Sequence, residues 1–470
     1  MTDSNIALID PAVIERTLGE ALRHGGEFAE VFAEERQSTG ISLDDGRIEE
    51  LSSGRDRGAG IRVVVGETTG FAHTGDLSER GLLAAAEAAA AVARRGGGGV
   101  REVPIEGRHV PSPNTVSIYP ETVAKADKVE ILRRADEAAR AAGSSIVQVS
   151  AGYGDGRRRF VVANSEGLLS SDDQVRTRLF VMCVASGDAG LQTGYESEAH
   201  TVGFEFFDRV SVESTAEKAA QRALGKLNAR PAPSGVVPVV IKSGTGGILF
   251  HEACGHGLEA DHILKDASAY AGRRGDLVAS PLVTLVDDGT VPDEWGSAAI
   301  DDEGRPSQRN VLIENGVLTD YMWDYLRARK EGRASSGNGR RQSYQHLPMV
   351  RMTNTYLLAG TEDPEEIVAQ TPSGVYVAQL GGGQVNTATG DFVFGMTEAY
   401  LIEGGRITEP LRDANLIGNG PDVLAKIDAV GDDFGMCPGT CGKDGQSVPV
   451  GCGQPTLRVT GVTIGGTADA

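Results

Sequence analysis

The sequence predicts an α+β fold: a mixed helix/hairpin N-terminal domain over residues 1–230, and a mostly antiparallel β C-terminal domain over residues 231–470 that carries one short His-bearing helix. Three observations predict it. The 470 residues are too many for one ordinary core. Glycine is abundant at 63 residues while aromatic residues make up only 5%, a bias toward tight turns and close backbone approaches. Helical patterns alternate with hairpins up to about Arg230, and beyond it short strands and glycine turns dominate.

The elements follow in order. Asp10–Gly26 reads as a helix, with Asp10 to cap it, Pro11 at its first position and Gly25 to stop it. Ile14, Leu18 and Leu22 repeat every four residues and form its buried stripe. "ISLDDGRIEEL" carries an Asp-Gly hairpin turn at Asp45–Gly46, and a second turn falls near Gly66. An alanine-rich helix from about Ser78 to Arg95 ends in Gly96–Gly99, and a proline-bearing irregular stretch follows. A helix over roughly Ala124–Ala142 precedes strands at "SIVQVSAGYG", "RRRFVVANSEG" and "VRTRLFVMCVASG". The arginine run Gly154–Phe160 reads as a solvated turn between two of them. "STAEKAAQRALGKL" opens with a capping box of Ser214 and Glu217.

"ARPAPSG" (Ala229–Gly235) is the linker candidate by its Pro and Gly content. After it, short helices at "YMWDYLRARKEG" and "DPEEIVAQ" interrupt strand-like alternation at "GVYVAQLGGGQVN", "FVFGMTEAYLIEGGRI" and "QPTLRVTGVTIGG".

The formal net charge of −21, with no Lys/Arg cluster, argues against nucleic-acid binding. No stretch reaches the roughly 18 apolar residues of a membrane helix, and "MTDSNIALIDP" has neither the basic nor the apolar region of a signal peptide. Five cysteines, an odd count with Cys437, Cys441 and Cys452 on one glycine-rich segment, fit a reduced, cytoplasmic protein with a working thiolate.

The chemistry concentrates in "LFHEACGHGLEAD" (Leu249–Asp261). It resembles the H-E-x-x-H helix of zinc proteases, but His251 and His256 are five residues apart, not four. On a regular helix a five-residue step sends two side chains roughly 140° apart. A shared metal therefore requires the helix to bulge or break near Cys254–Gly255, where Gly255 offers backbone freedom. A catalytic zinc usually takes three protein ligands. The third could be Cys254, Glu259, Asp261 or His262 nearby, or Cys437, Cys441 or Cys452 on what reads as a flexible glycine loop; spacing does not choose among them.

"HEACGHGLEAD" together with "GTCGKDGQSVPVG" resembles the TldD branch of the TldD/PmbA family of metalloproteases. The resemblance continues through "DDEGRPSQRNVLIENGVL", "SGNGRRQSYQHLPMVRMTNTYLLAG" and "GNGPDVLAKIDAVGDDF", and more loosely through "GISLDDGRIEELSSGRDRGAGIRVVVG". It implies a metal-binding helix with Zn2+ held by His251, His256 and Cys441, and Glu252 as the catalytic carboxylate. It implies a protease of unfolded or extended peptides that pairs with a sister PmbA-like subunit or with itself. Tyr344, His346 and Arg351, in "SYQHLPMVR", are candidates for contact with substrate or its oxyanion. The same residues would also serve a zinc amidase or deacylase on non-peptide amides, and a structural metal in a non-catalytic binding subunit is the other rival.

Overall fold

The computed structural model describes residues 8–91, 102–188 and 190–467. Helix α1 (Pro11–Ala21) starts where its cap predicts, with Asp10 accepting from the Ala12 N–H at 2.8 Å. Strand β1 (Phe28–Asp44) turns at Asp45–Gly46, both at positive φ, into β2 (Arg47–Val65). A turn at Gly66 leads to β3 (Thr68–Thr74) and then to α2 (Glu79–Ala90). The expected continuation of α2 to Arg95 and its Gly96–Gly99 stop lie outside the described residues. Next come β4 (Glu106–Arg108), α3 (Lys125–Ala141), β5 (Ile146–Asn164), β6 (Leu168–Gly187), β7 (Gly190–His200), α4 (Phe206–Arg209) and α5 (Val212–Leu227). The strands form one sheet in the order β3-β2-β1-β5-β6-β4, with β7 also paired to β6.

Two local expectations change. Strand β5 runs unbroken through Gly154–Phe160, so the arginine run is no solvated turn: Arg157 sits opposite Gln37 on one side and Val175 on the other. Its arginines meet carboxylates, Arg157 on Asp173 at 2.6 Å, Arg158 on Glu34 at 2.8 Å and Arg159 on Glu35. Helix α5 begins earlier than the capping box predicts, because Ser211 is the residue whose side chain accepts, from the Ser214 N–H at 3.1 Å.

Strand alternation sorts the two faces of this sheet. Val31, Ala33, Ile41 and Leu43 of β1 face the helices, α1 and α2 at one end and α3 and α5 at the other. Glu30, Phe32 and Glu34 face the C-terminal domain. There Phe32, Phe160 and Val162 pack against Ile300 and Tyr344. Glu30 accepts from Arg62 at 2.7 Å and from Arg341 at 2.5 Å, and Arg158 reaches Asp302 at 2.7 Å.

The segment read as a linker belongs to the C-terminal domain: Arg230–Pro231 pairs in parallel with Leu411–Arg412, and Ala232 is buried. Two main sheets, mostly antiparallel in pairing, and a two-stranded ribbon of Gly339–Arg340 with Met349–Val350 make up the described part of that domain. The larger has eight strands and includes Gly235–Ile241, Ser373–Val385, Asp391–Glu403 and Leu457–Gly465. The smaller has six and ends in two adjacent strands, Gln446–Gln454 and then Gly435–Lys443. The supposed flexible glycine loop around Cys441 is therefore a regular hairpin, in continuous register from Gly435↔Gln454 to Lys443↔Gln446. Asp444 and Gly445, both at positive φ, make its turn. Among the described residues no helix is long and apolar enough to cross a membrane.

Candidate metal centre

The His-bearing segment changes helix type three times in fourteen residues. Thr245–Gly247 is a 3₁₀ turn, Ile248–Phe250 is α, His251–Gly255 is a π turn and His256–Leu258 is 3₁₀ again. At Gly247 an added Cβ would lie 2.3 Å from the backbone nitrogen of Gly453. Glycine there lets the turn seat directly on the strand Gln446–Gln454, and so beside the hairpin that carries Cys441.

The π turn resolves the spacing. The His256 N–H donates to the His251 carbonyl, five residues back, and the widened turn brings the two imidazoles together with ring centroids 4.9 Å apart. Gly255 serves this differently from expectation. Its φ of −53° and ψ of −54° are ordinary right-handed helix; what requires glycine is packing, since a Cβ there would lie 2.3 Å from Met352 Sδ.

His251, His256 and Cys441 are all buried, and one ligand atom from each lies within 4.8 Å of the others. Cys441 Sγ is 3.5 Å from His256 Nε2. Burial alone would push the Cys441 thiol up, yet the neighbouring His251 and His256 hold it down at about 4. Burial would lower His256, but Glu259 and Cys441 raise it well above its usual value. His251 Nδ1 is buried with no hydrogen-bond partner among the described residues. A thiolate, two imidazoles and an orphaned buried nitrogen fit a bound cation, and two nitrogen donors with one sulfur suit zinc.

A supporting shell holds this set in place. His256 Nδ1 lies 3.1 Å from Glu259 Oε2, which leaves Nε2 to face Cys441. Lys443 Nζ donates to Glu259 at 2.9 Å and to Asp261 at 2.8 Å. Burial opposes ionisation of Glu259, but His256 and Lys443 prevail and hold it at about 2. Glu259, Asp261 and His262 form the other group able to hold an ion among the described residues, but the Lys443 ammonium already supplies its positive charge. Cys254 Sγ donates to the Phe250 carbonyl at 3.1 Å, and Cys437 faces Cys452 across the hairpin.

The remaining candidates separate. Glu252 is partly exposed, and its Oε2 is 3.9 Å from His256 Nε2. Arg351 is fully buried and donates to the carbonyls of Cys441 at 2.5 Å and Gln446 at 3.3 Å, holding the hairpin backbone behind the thiolate. Tyr344 packs against Phe32 and Phe160 at the domain interface. His346 is half-buried, 2.8 Å from Ser343 Oγ. The functional pair that motif reading missed as a unit is Glu259 with Lys443; its only trace in the sequence is the lysine two places after Cys441.

Three family descriptions cover most of the chain: PmbA/TldA metallopeptidase domain 1 matches residues 29–93, the central domain 118–227 and the C-terminal domain 234–466. A Haemophilus influenzae protein named Metalloprotease TldD homolog is 41% identical over 94% of this chain and 93% of its own length. A Methanothermobacter thermautotrophicus metalloprotease is 37% identical over 94% and 96%. A Saccharolobus solfataricus protein named Zinc metalloprotease TldD homolog is 27% identical over 94% and 97%. Among solved structures, a Thermotoga maritima protein described as a candidate modulator of a DNA gyrase superposes with a TM-score of 0.81 at 23% identity, over 97% of this chain and 99% of that one. TldE from Thermococcus kodakarensis superposes with a TM-score of 0.76 at 21% identity, over 96% and 99%. These two share the fold.

Proposed function

This chain belongs to the PmbA/TldA metallopeptidase family and is a metalloprotease, and on that premise we propose that it hydrolyses peptide bonds in unfolded or extended peptides, with zinc held by His251, His256 and Cys441 and Glu252 as general base. The observation that carries this reading is the π turn, which sets two buried imidazoles beside the Cys441 thiolate and leaves Glu252 next to them and reachable from solvent. When bound, zinc supplies a Lewis acid that polarises a carbonyl and lowers the pKa of water. Glu252 takes the proton from the attacking water and delivers it to the leaving nitrogen. Glu259 fixes the His256 ring through Nδ1, and Lys443 keeps Glu259 ionised for that task. Arg351 is a positioning residue for the Cys441 strand.

The strand Gly435–Lys443 is the outer strand of its sheet. An extended peptide can add to such an edge through main-chain hydrogen bonds, which reads backbone more than side chains. A second subunit over this edge, either a non-catalytic sister chain or another copy, would admit extended chains and exclude folded ones.

Glu252→Gln tests the reading. The variant should bind zinc with wild-type stoichiometry and lose hydrolysis of an unstructured peptide, because the amide cannot act as a base at neutral pH. Turnover near the wild-type rate would mean that another group activates the water.

A further inference from the structure

Away from the metal centre, the structure holds a second concentration of charge that does not cancel. A cavity of about 390 Å³ lies between the N-terminal sheet and the C-terminal domain, and its lining includes Arg36, Arg157, Arg158, Arg176, Arg340 and Arg341 against only Asp301 and Asp302 of opposite sign. Four of the six have carboxylate partners: Arg36 on Glu34 at 3.1 Å, Arg157 on Asp173 at 2.6 Å, Arg158 on Glu34 at 2.8 Å and Asp302 at 2.7 Å, and Arg341 on Glu30 at 2.5 Å. Glu34 thus serves two guanidiniums.

Arg176 and Arg340 have no carboxylate partner among the described residues. Arg176 donates to the Gln174 amide oxygen at 2.8 Å and to the carbonyls of Trp295 at 3.2 Å and Ser297 at 3.4 Å. Arg340, only 8% exposed, donates to the carbonyls of Met352 and of Pro449, the latter at 2.7 Å. All of these acceptors are neutral. Arg158 Nη2 is buried with no hydrogen-bond partner among the described residues. Burial and the Arg340 and Arg158 guanidiniums push Arg176 down to about 9 against the pull of Asp172 and Asp302, and burial pushes Arg340 down to about 10 against the pull of Asp302. Cations left in that state, Arg340 buried and Arg176 half-buried, favour an anionic guest. A planar guanidinium fork matches a carboxylate. Trp295, Ile300 and Val448 add an apolar wall that a bare inorganic anion would not need.

We propose that this cavity binds the carboxylate of an organic anion, with Arg176 and Arg340 as its charge partners and Trp295, Ile300 and Val448 against its apolar body. Two sources share that chemistry: the free C-terminus of a peptide, and a small organic acid. Thr440 and Pro449, on the hairpin that carries Cys441, also line the cavity. The peptide source therefore rests on the peptidase reading above, and the small acid does not.

Calorimetric titration of the zinc-loaded full chain, in the Glu252→Gln form so that nothing is turned over, tests it with N-acetylphenylalanine, its amide, and inorganic phosphate. The acid should bind saturably, and the amide about tenfold more weakly or worse. Arg340 also holds the hairpin backbone, so Arg176 is the residue to change. Arg176→Gln should weaken the acid about tenfold with zinc content and circular dichroism unchanged, and Arg176→Lys should recover part of the loss. An unstructured hexapeptide that binds better with a free than with an amidated C-terminus identifies the peptide source; binding of the small acid without that preference identifies the organic acid. The proposal is overturned if acid and amide bind alike, if neither binds, if Arg176→Gln binds the acid undiminished, or if phosphate binds and the acid does not. Wild-type chain that binds the acid but cleaves no peptide would overturn the peptidase reading alone.

Discussion

The ion cluster around Glu30, between the two domains, and the charge buried around His251 are organised on different plans. At the interface Glu30 accepts from Arg62 and Arg341, and Arg62 also reaches Glu303 at 2.9 Å. Each ion of that cluster meets its opposite, even though Arg62 Nε and Arg341 Nε find no acceptor among the described residues. Around His251 the neighbours are chosen otherwise: two imidazoles and a thiolate gather within 4.8 Å, and His251 Nδ1 has no hydrogen-bond partner among the described residues. Ion pairs that answer one another join two domains. Metal-ligating donors gathered at one point, with a ring nitrogen left without a partner among the described residues, make a site. Burial of charge does not separate the two cases; the kind of donor gathered does.

The hardest test of that contrast removes one donor. His251→Ala, His256→Ala and Cys441→Ser should each lose bound zinc and fall to background hydrolysis while the chain stays folded. Cys437→Ser, four positions before Cys441 on its strand, and Cys452→Ser, opposite Cys437 on the next strand, should keep both. Zinc measured by emission spectroscopy in the Cys441→Ser chain at wild-type stoichiometry would take Cys441 out of the ligand set.

At the interface the same kind of deletion should act on folding. Glu30→Ala strands Arg341 in a buried setting and leaves Arg62 with Glu303 alone, and breaking such a pair costs about 3–5 kcal/mol. The urea midpoint should drop accordingly, with zinc per folded molecule unchanged. A variant that unfolds as the wild type does but binds zinc poorly would erase the distinction between the two clusters.

Glu259→Gln probes the boundary between them, because Glu259 belongs to the support of the site and to an ion pair with Lys443. Loss of a carboxylate behind a metal-binding histidine typically costs 10–100-fold in affinity. Competition with a chromogenic chelator should show a shift of that size, smaller than the loss from Cys441→Ser.

The sequence reading reached these two clusters unequally, for a physical reason. His251, Glu252 and His256 lie in six consecutive residues, and a five-residue step on a helix has a geometric consequence that needs no tertiary information; the π turn is that consequence. The third donor is open on the residues alone, since spacing does not choose among Cys254, Glu259, Asp261, His262, Cys437, Cys441 and Cys452, and only the resemblance singles out Cys441. Lys443 reaches Glu259 across 184 positions, a distance at which periodicity says nothing. The arginine run misled for the same reason. Glycines beside arginines look like a turn locally, and only pairing with β1 and β6 makes Gly154–Phe160 the interior of a sheet. The fold class was visible in alternating patterns; the face that the N-terminal sheet turns toward its partner domain was not.

The smallest effect comes from Glu303, which shares Arg62 with Glu30 at the interface. Burial pushes Glu303 up to about 7; Arg62 opposes this, and Asp324 and Glu30 reinforce it. An unfolded glutamate titrates near 4.3. Between about 4.3 and about 7 the folded chain therefore holds a proton that the unfolded chain has released, so this contribution to stability is fully present below that window and is lost as pH rises through it. Glutamine is neutral throughout and its carbonyl can still accept from the Tyr325 N–H, which Glu303 does at 2.6 Å. Glu303→Gln should therefore flatten the fall in stability between about pH 5 and about pH 7.5 by on the order of 1 kcal/mol. Asp301 and Asp324 are raised as well, so the slope should shrink without vanishing. Parallel slopes for variant and wild type in urea unfolding would place the proton on another carboxyl, and the interface would then hold its charges more fully ionised than the sharing of Arg62 implies.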